Sequence, residues 1–217
     1  KYEADKTIPK KTVPAQDLFF DLLKERAETG RIYIMNLDHC NSHSSFKDKV
    51  SMSNLCQEIT LPTTPIQDIH DEQGEIALCI LSAVNVGGLN DLSELEGICD
   101  LSVRALEQII DYQDYPVKAA EVSTKRRRSL GIGYIGLAHY LAKNGVKYSD
   151  PKAWELVDRL SEAFQFHLLK ASNNLAKEKG KCEAFDRTKY ADGQLPIDHY
   201  KKDVDKIVPH KQRMAWE

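Results

Sequence analysis

Ile76-Ala77-Leu78-Cys79-Ile80-Leu81-Ser82-Ala83-Val84 is the stretch that decides the fold class. It is almost continuously apolar, and Gly87-Gly88 breaks it shortly afterwards. Successive side chains of a strand point to opposite faces, so an unbroken apolar run predicts a strand covered on both sides, as in a parallel sheet. Parallel neighbours cannot be joined by a tight turn and need a crossover, usually a helix. Helices are therefore expected to flank this strand.

Upstream, residues 14–29 read as a helix. Pro14 suits a first turn, Leu18, Phe19, Leu22, Leu23 and Arg26 give a helical stripe, and Gly30 is a stop. Residues 31–36, Arg-Ile-Tyr-Ile-Met-Asn, are rich in β-formers and predict a strand. Residues 38–53 are polar with few apolar anchors and read as loop. Residues 54–61 read as extended, ended by Pro62 and Pro65.

Downstream, a helix is expected over residues 91–112, with Leu95, Ile98, Ser102, Ala105, Leu106, Ile109 and Ile110 on one side. Residues 129–133 predict a short strand and 134–143 a helix. The strongest helix signal covers residues 151–179. Asp150 can cap it, Pro151 sits at its first position and Gly180 closes it. Its stripe is Leu156, Val157, Leu160, Phe164, Leu168, Ala171 and Leu175. At ~1.5 Å per residue it would be about 40 Å long. The remainder is polar, with a short helix expected near Ile197 to Asp205. Strands alternating with helices make the class α/β.

The chain has 217 residues, 41% hydrophobic and 29% charged, with a formal charge of -3. That is an ordinary globular balance and argues against a nucleic-acid binder. The short basic run Lys125-Arg126-Arg127-Arg128 reads as a solvated face or an anion contact. No apolar run approaches the ~20 residues of a membrane span, and no signal peptide is present. Cys40, Cys56, Cys79, Cys99 and Cys182 are scattered and odd in number, which predicts free thiols in a reducing compartment, the cytoplasm by default. The start at Lys1 and the stop at Glu217 read as cuts through a longer polypeptide.

One short segment concentrates chemistry: Ser53-Asn54-Leu55-Cys56-Gln57-Glu58. In an extended chain Asn54, Cys56 and Glu58 point to one side, whereas a helix turns Cys56 about 200° from Asn54. An amide can hold a hydroxyl, a thiol is a nucleophile or one-electron centre, and a carboxylate is a general base. A sugar with adjacent hydroxyls would suit that face. The same spacing equally fits a half-buried strand with a structural cysteine and two solvent-facing polar residues. Cys79 alone reads as an inert buried thiol. A barrel strand could also deliver it to the interior that holds Cys56, and two thiols facing one sugar suggest radical redox chemistry.

The segment resembles the active-site loop of class I ribonucleotide reductases. The resemblance runs along essentially the whole chain: Gly30-Arg31-Ile32-Tyr33-Ile34, Asp38-His39-Cys40-Asn41, Gly74-Glu75-Ile76-Ala77-Leu78-Cys79, Asp111-Tyr112-Gln113-Asp114-Tyr115-Pro116, Leu130-Gly131-Ile132-Gly133, Leu169-Lys170-Ala171-Ser172-Asn173 and Leu195-Pro196-Ile197-Asp198 are similar to the bacterial and phage large, catalytic subunit. It implies part of a ten-stranded α/β barrel, incomplete in this chain, with residues 1–217 as one partial catalytic barrel domain.

The resemblance also implies roles. Cys56 would carry the thiyl radical and abstract the 3′ hydrogen of a ribonucleoside diphosphate. Glu58 would take the 3′-hydroxyl proton from a partly dry cavity, and Asn54 would hold the substrate hydroxyls. Ser53, Asn54, Leu55, Cys56, Gln57 and Glu58 together would line the substrate site. Cys79 would be half of the redox-active dithiol, its partner lying upstream of Lys1.

The first barrel half, the activity cone and the ATP and deoxynucleotide effector regions are expected upstream of this chain. The last barrel part, the radical-transfer tyrosines and the C-terminal cysteine tail are expected downstream, so Tyr112 and Tyr115 read as packing or loop residues. The implied partners are a radical-supplying, metal-containing small subunit, thioredoxin or glutaredoxin as reductant, and a second large subunit. The chain is expected to bind no cofactor, metal, nucleic acid or membrane itself. Alone it is expected to be inactive, with exposed strand edges and apolar faces.

Other readings remain. Gly131-Ile132-Gly133-Tyr134-Ile135-Gly136 fits a dinucleotide fingerprint, but Arg126-Arg127-Arg128 stands where its apolar strand should, and a tight strand-to-helix turn fits better. His39, Cys40 and His43 lack a second ligand pair and make a poor zinc site. Cys99 reads as core and Cys182 as a loop thiol. A cysteine hydrolase needs a histidine placed to take the Cys56 proton. A non-catalytic half of a split subunit, active only when assembled, is the other alternative.

Overall fold

The computed structural model describes residues 3–199, which divide into a unit up to Asn36 and a second from Leu37 onward. The first is built on α1 (Ala15–Thr29). Pro14, with φ -59° and ψ 127°, stands just outside the helix, and Gly30 closes it at φ 66°, its N–H donating to the Arg26 carbonyl at 2.9 Å. No residue of α1 is buried, and Leu18, Phe19 and Phe20 are exposed. The strand expected over 31–36 is not formed. β-propensity supplies a willing backbone, but a strand exists only where a second one takes up its N–H and C=O groups.

The second unit runs through α2 (Leu37–His43), β1 (Ile80–Asn85), a 3-10 turn (Val86–Gly88), α3 (Glu94–Tyr112), α4 (Lys118–Arg127), β2 (Leu130–Ile135), α5 (Leu137–Lys143) and α6 (Pro151–Lys179). Three short 3-10 turns follow, Phe185–Arg187, Lys189–Asp192 and Pro196–His199. The last stands where a helix is expected near Ile197; the rest of that expected helix lies outside the described residues. β1 and β2 pair in parallel, in register from Ile80 against Leu130 to Asn85 against Ile135, with α3 and α4 as the crossover.

Alternation gives this ribbon two unlike faces. On one, Val84 is buried in a core with Leu95, Cys99, Leu160 and Phe164, and Ile132 and Tyr134 pack against it. The Tyr134 ring meets Phe164 edge-on at 5.5 Å and its hydroxyl reaches Ser161 Oγ at 3.0 Å. A second cluster of Val103, Ala171 and Leu175 takes Leu130 and Ile132. Each large side chain withdrawn in this way contributes ~1.5–3 kcal/mol. On the other face Leu81 is 59% and Ile135 57% exposed. β1 is thus covered on one side only, where the unbroken apolar run predicts two; the described residues do not supply the second layer.

The helices differ in how well their pattern predicts them. The bounds of α6 match expectation, although Asp150 does not cap it: its carboxylate takes the Lys147 N–H at 2.8 Å. On α3 the buried stripe is Leu95, Cys99, Val103, Leu106 and Ile110, so Cys99 is core as expected, while Ala105 and Ile109 lie on the exposed side. Tyr112 is exposed, and Tyr115 donates to the Ile110 carbonyl at 2.8 Å. Two helices were not expected. α2 starts one residue ahead of the segment read as loop and occupies its beginning, and α4 carries the basic run.

That run does contact anions, but they are carboxylates of this chain, and Lys125 keeps a partly solvated side chain. Lys125 pairs with Glu121, Arg126 with Glu183, Arg127 with Glu75 and Asp48, and Arg128 with Glu107 and Asp111. Among the described residues no helix is long and apolar enough to cross a membrane.

Candidate active site

Residues 53–59 form a turn, not the extended segment expected. The Asn54 carbonyl accepts the Gln57 N–H at 3.2 Å, and the Asn54 N–H donates to the Ile59 carbonyl at 3.3 Å. The Asn54 side chain closes the loop twice over: its Oδ1 accepts the Ile59 N–H at 3.1 Å, and its Nδ2 donates to Glu58 Oε1. Ser53 Oγ donates to the Asn54 carbonyl at 2.9 Å. Gln57 takes φ 63°, a conformation side-chain-bearing residues rarely adopt. Asparagine favours this outcome because its short amide offers a donor and an acceptor to nearby backbone, competing with strand pairing.

The turn therefore brings Asn54 and Glu58 into contact, with Cys56 exposed between them and Leu55 82% exposed. Glu58 is exposed among the described residues. The i, i+2, i+4 spacing also gathers Asn54 and Glu58 across a turn, which is why the same residues were legible under the wrong local geometry.

Cys79 is half-buried just before β1. Burial pushes its thiol pKa up, and the nearby Glu58 carboxylate pushes it further. Glu58 and Cys79, far apart in sequence, thus share one electrostatic neighbourhood. Gly131 of β2 lies beside both Cys79 and Ile59. A Cβ there would stand 3.5 Å from both Cys79 Sγ and Ile59 Cδ1, and 2.5 Å from Leu81 Cδ2. The arm of the turn leaving Glu58 lies against the ribbon at a position without a side chain.

Ion pairs anchor the two segments. Glu75, buried ahead of Cys79, receives Arg127 Nε at 3.0 Å and Nη2 at 2.7 Å, and Thr64 Oγ1 at 2.9 Å. Burial alone would raise the Glu75 pKa, but the hydrogen bonds from Arg127 and Thr64 and the charges of Arg127 and Arg187 outweigh it and hold the carboxyl below its ordinary value. Arg127 Nη1 also donates to Asp48 at 3.0 Å, ahead of the turn. Asn41 of α2 pins the same stretch, exchanging hydrogen bonds of 2.8 Å with the Val50 N–H and carbonyl. Sequence reading missed Asp48, Glu75, Arg127 and Gly131. The only local signals were the basic run and the glycine pattern.

Gly131 and Gly133 lie inside β2, and Gly136, at φ 79°, is the one-residue link to α5. This is the tight strand-to-helix turn expected, with its first two glycines in a ladder and not in a phosphate loop. Cys182 is a partly buried loop thiol whose pKa is raised by that burial. Among the described residues no three His, Cys, Asp or Glu side chains are grouped to hold a metal ion.

The family model "Ribonucleotide reductase, barrel domain" matches residues 1–217. The chain is 58% identical over 220 residues to the ribonucleoside-diphosphate reductase subunit alpha of Haemophilus influenzae, covering 100% of this chain and 29% of that protein. It is 54% identical to ribonucleoside-diphosphate reductase 1 subunit alpha of Escherichia coli, with the same coverage. It is 40% identical to the subunit alpha of Enterobacteria phage T4, over 99% of this chain and 28% of that protein. The chain thus spans less than a third of the length of these relatives.

Proposed function

Since this chain belongs to the ribonucleotide reductase barrel-domain family, we propose that it is the part of a ribonucleoside-diphosphate reductase alpha subunit that carries the radical cysteine. Cys56 is the thiyl centre that takes the 3′ hydrogen of the ribose. Glu58 removes the 3′-hydroxyl proton as general base, and Asn54 holds the sugar hydroxyls. Ser53, Leu55 and Gln57 complete the turn around the substrate.

Overall the 2′ C–OH bond becomes C–H, the hydroxyl leaves as water, and two thiols become one disulfide. Cys79 is one of those thiols, and its partner lies elsewhere in the barrel. Thioredoxin or glutaredoxin reduces the disulfide after each turnover. The radical comes from a metal-containing small subunit. ATP and deoxynucleotide effectors bind other regions of a dimeric large subunit that makes DNA precursors in the cytoplasm. Residues 1–217 supply one portion of the barrel and are inactive alone.

The observation that supports this reading is that the Asn54 amide is bonded to the Glu58 carboxylate, whose charge in turn raises the Cys79 thiol pKa. The test uses a full-length alpha subunit carrying this segment, assayed with its small subunit and a nucleoside diphosphate. Cys56→Ser and Cys79→Ser should abolish sustained turnover, and Glu58→Gln should lower kcat by about 10²–10⁴. Full turnover in Cys56→Ser would sink the assignment.

A further inference from the structure

Cys56 and Cys79 sit on segments that no ladder fixes. Residues 44–53, ahead of the turn, and 60–79, ahead of β1, contain neither helix nor a strand of the sheet. Backbone hydrogen bonds tie each segment to other parts of the fold, Lys47 N–H to the Arg187 carbonyl at 2.9 Å and Ile76 N–H to the Ala119 carbonyl at 3.2 Å, but among the described residues none runs between the two, so a side-chain anchor is what links them directly. Asp48 stands on the first segment and Glu75 on the second, and both are bonded to one guanidinium, that of Arg127. The Arg127 side chain is 4% exposed and that of Glu75 0%.

We propose that Arg127 is the positioning residue that holds the Cys56 turn and the Cys79 segment in register, so that Glu58 stays near the Cys79 thiol. The idea rests on the proposed function for its purpose and on the geometry for its content.

The placement of Arg127 suits the task. It is the last residue of α4 and lies just ahead of β2, the strand paired with the one Cys79 leads into. Its planar fork meets Glu75 with two parallel hydrogen bonds and keeps Nη1 for Asp48, an arrangement one ammonium cannot reproduce. Arg187 also reaches Asp48, at 2.9 Å, but makes no bond to Glu75, so it steadies one segment without linking the two. Neighbouring Arg128 is turned to Glu107 and Asp111 of α3.

A purely structural Arg127 would lower stability and leave the chemistry of folded molecules alone. A positioning Arg127 changes how Glu58 and Cys79 sense each other. The experiment is a double-mutant cycle on Cys79 alkylation by iodoacetamide, followed by peptide mass spectrometry on the full-length subunit. Glu58→Gln removes a negative charge beside the thiol and should speed Cys79 alkylation about threefold. In an Arg127→Lys background that gain should fall below about 1.5-fold. Leu160→Ala, a core change on the helix-covered face, should lower Tm yet keep the threefold gain.

In turnover assays Arg127→Lys should lower kcat roughly tenfold with KM near its original value, since positioned groups act in the transition state. An undiminished alkylation gain in Arg127→Lys would overturn the proposal. If Arg127→Lys does not fold, Asp48→Asn detaches only the Cys56 segment from the guanidinium. It should likewise abolish the gain, and an unchanged gain there overturns the proposal equally. A wild-type subunit unable to reduce nucleotides would defeat the functional reading, while the alkylation cycle would still decide the role of Arg127.

Discussion

Arg127 donates to both carboxylate oxygens of Glu75, Nε to Oε1 at 3.0 Å and Nη2 to Oε2 at 2.7 Å, with both side chains withdrawn from solvent. A buried pair of this kind contributes little net stability against an apolar substitute, but removing one partner leaves a charge stranded. Glu75→Gln should therefore cost about 3 kcal/mol, near the lower end of the range for broken buried pairs because Asp48 remains beside Arg127. Urea unfolding would read this. The double variant Glu75→Leu/Arg127→Met should recover part of the loss.

The same pair makes stability depend on pH. The Glu75 pKa is held below its ordinary value, so its contribution is complete above the usual glutamate range and is lost as pH falls through the depressed folded-state value. The stability gap between wild type and Glu75→Gln should narrow on acidification. A gap unchanged from neutral pH into the acid range would contradict it.

Thiol reactivity should follow burial. Cys56 is exposed, the Cys79 thiol is raised by burial and by Glu58, and burial pushes the Cys99 thiol up to about 11. Only the thiolate reacts. Iodoacetamide at pH 8 should label Cys56 first, Cys79 more slowly, and Cys99 only on unfolding. Labelling of Cys99 ahead of Cys79 would contradict the core assignment.

Asn54 holds the turn with both ends of its amide. Asn54→Ala should speed hydrogen exchange at the Ile59 N–H about fivefold, corresponding to the ~1 kcal/mol of a lost hydrogen bond. Asn54→Asp keeps an acceptor for Ile59 but sets a carboxylate against Glu58, and should also loosen the turn, more at low salt than at high.

Gly131 and Gly136 should respond differently to alanine. At Gly131 the new methyl meets chiefly the end of the exposed Leu81 side chain, which can swing away, so the cost should stay within about 1 kcal/mol. At Gly136 the backbone has φ 79° and a Cβ would collide with Asn85 Oδ1 and press on the Gly87 N–H. The left-handed conformation alone costs ~1–2 kcal/mol, and the contacts add to it. Thermal unfolding of the two variants should rank them in that order.

The sequence by itself determined α6, because Pro151 and Gly180 mark its ends and its apolar stripe repeats at helical spacing. It also determined most of α3, the stop of β1 ahead of Gly87, and the identities of Asn54, Cys56, Glu58 and Cys79 as the residues to examine. These signals are local, since a cap, a glycine stop and a periodic stripe act through neighbours along the chain. Tertiary structure alone decided the rest. β-formers at 31–36 remained unpaired because a strand needs a partner that propensity cannot provide. The basic run at 125–128 became a set of ion pairs because Asp48, Glu75, Glu107, Asp111 and Glu183 arrive from distant segments. Cys56 lies exposed between Asn54 and Glu58, but on a turn. The asparagine amide, not strand alternation, joins Asn54 to Glu58, and Ile59 and Cys79 both lie beside Gly131 of β2.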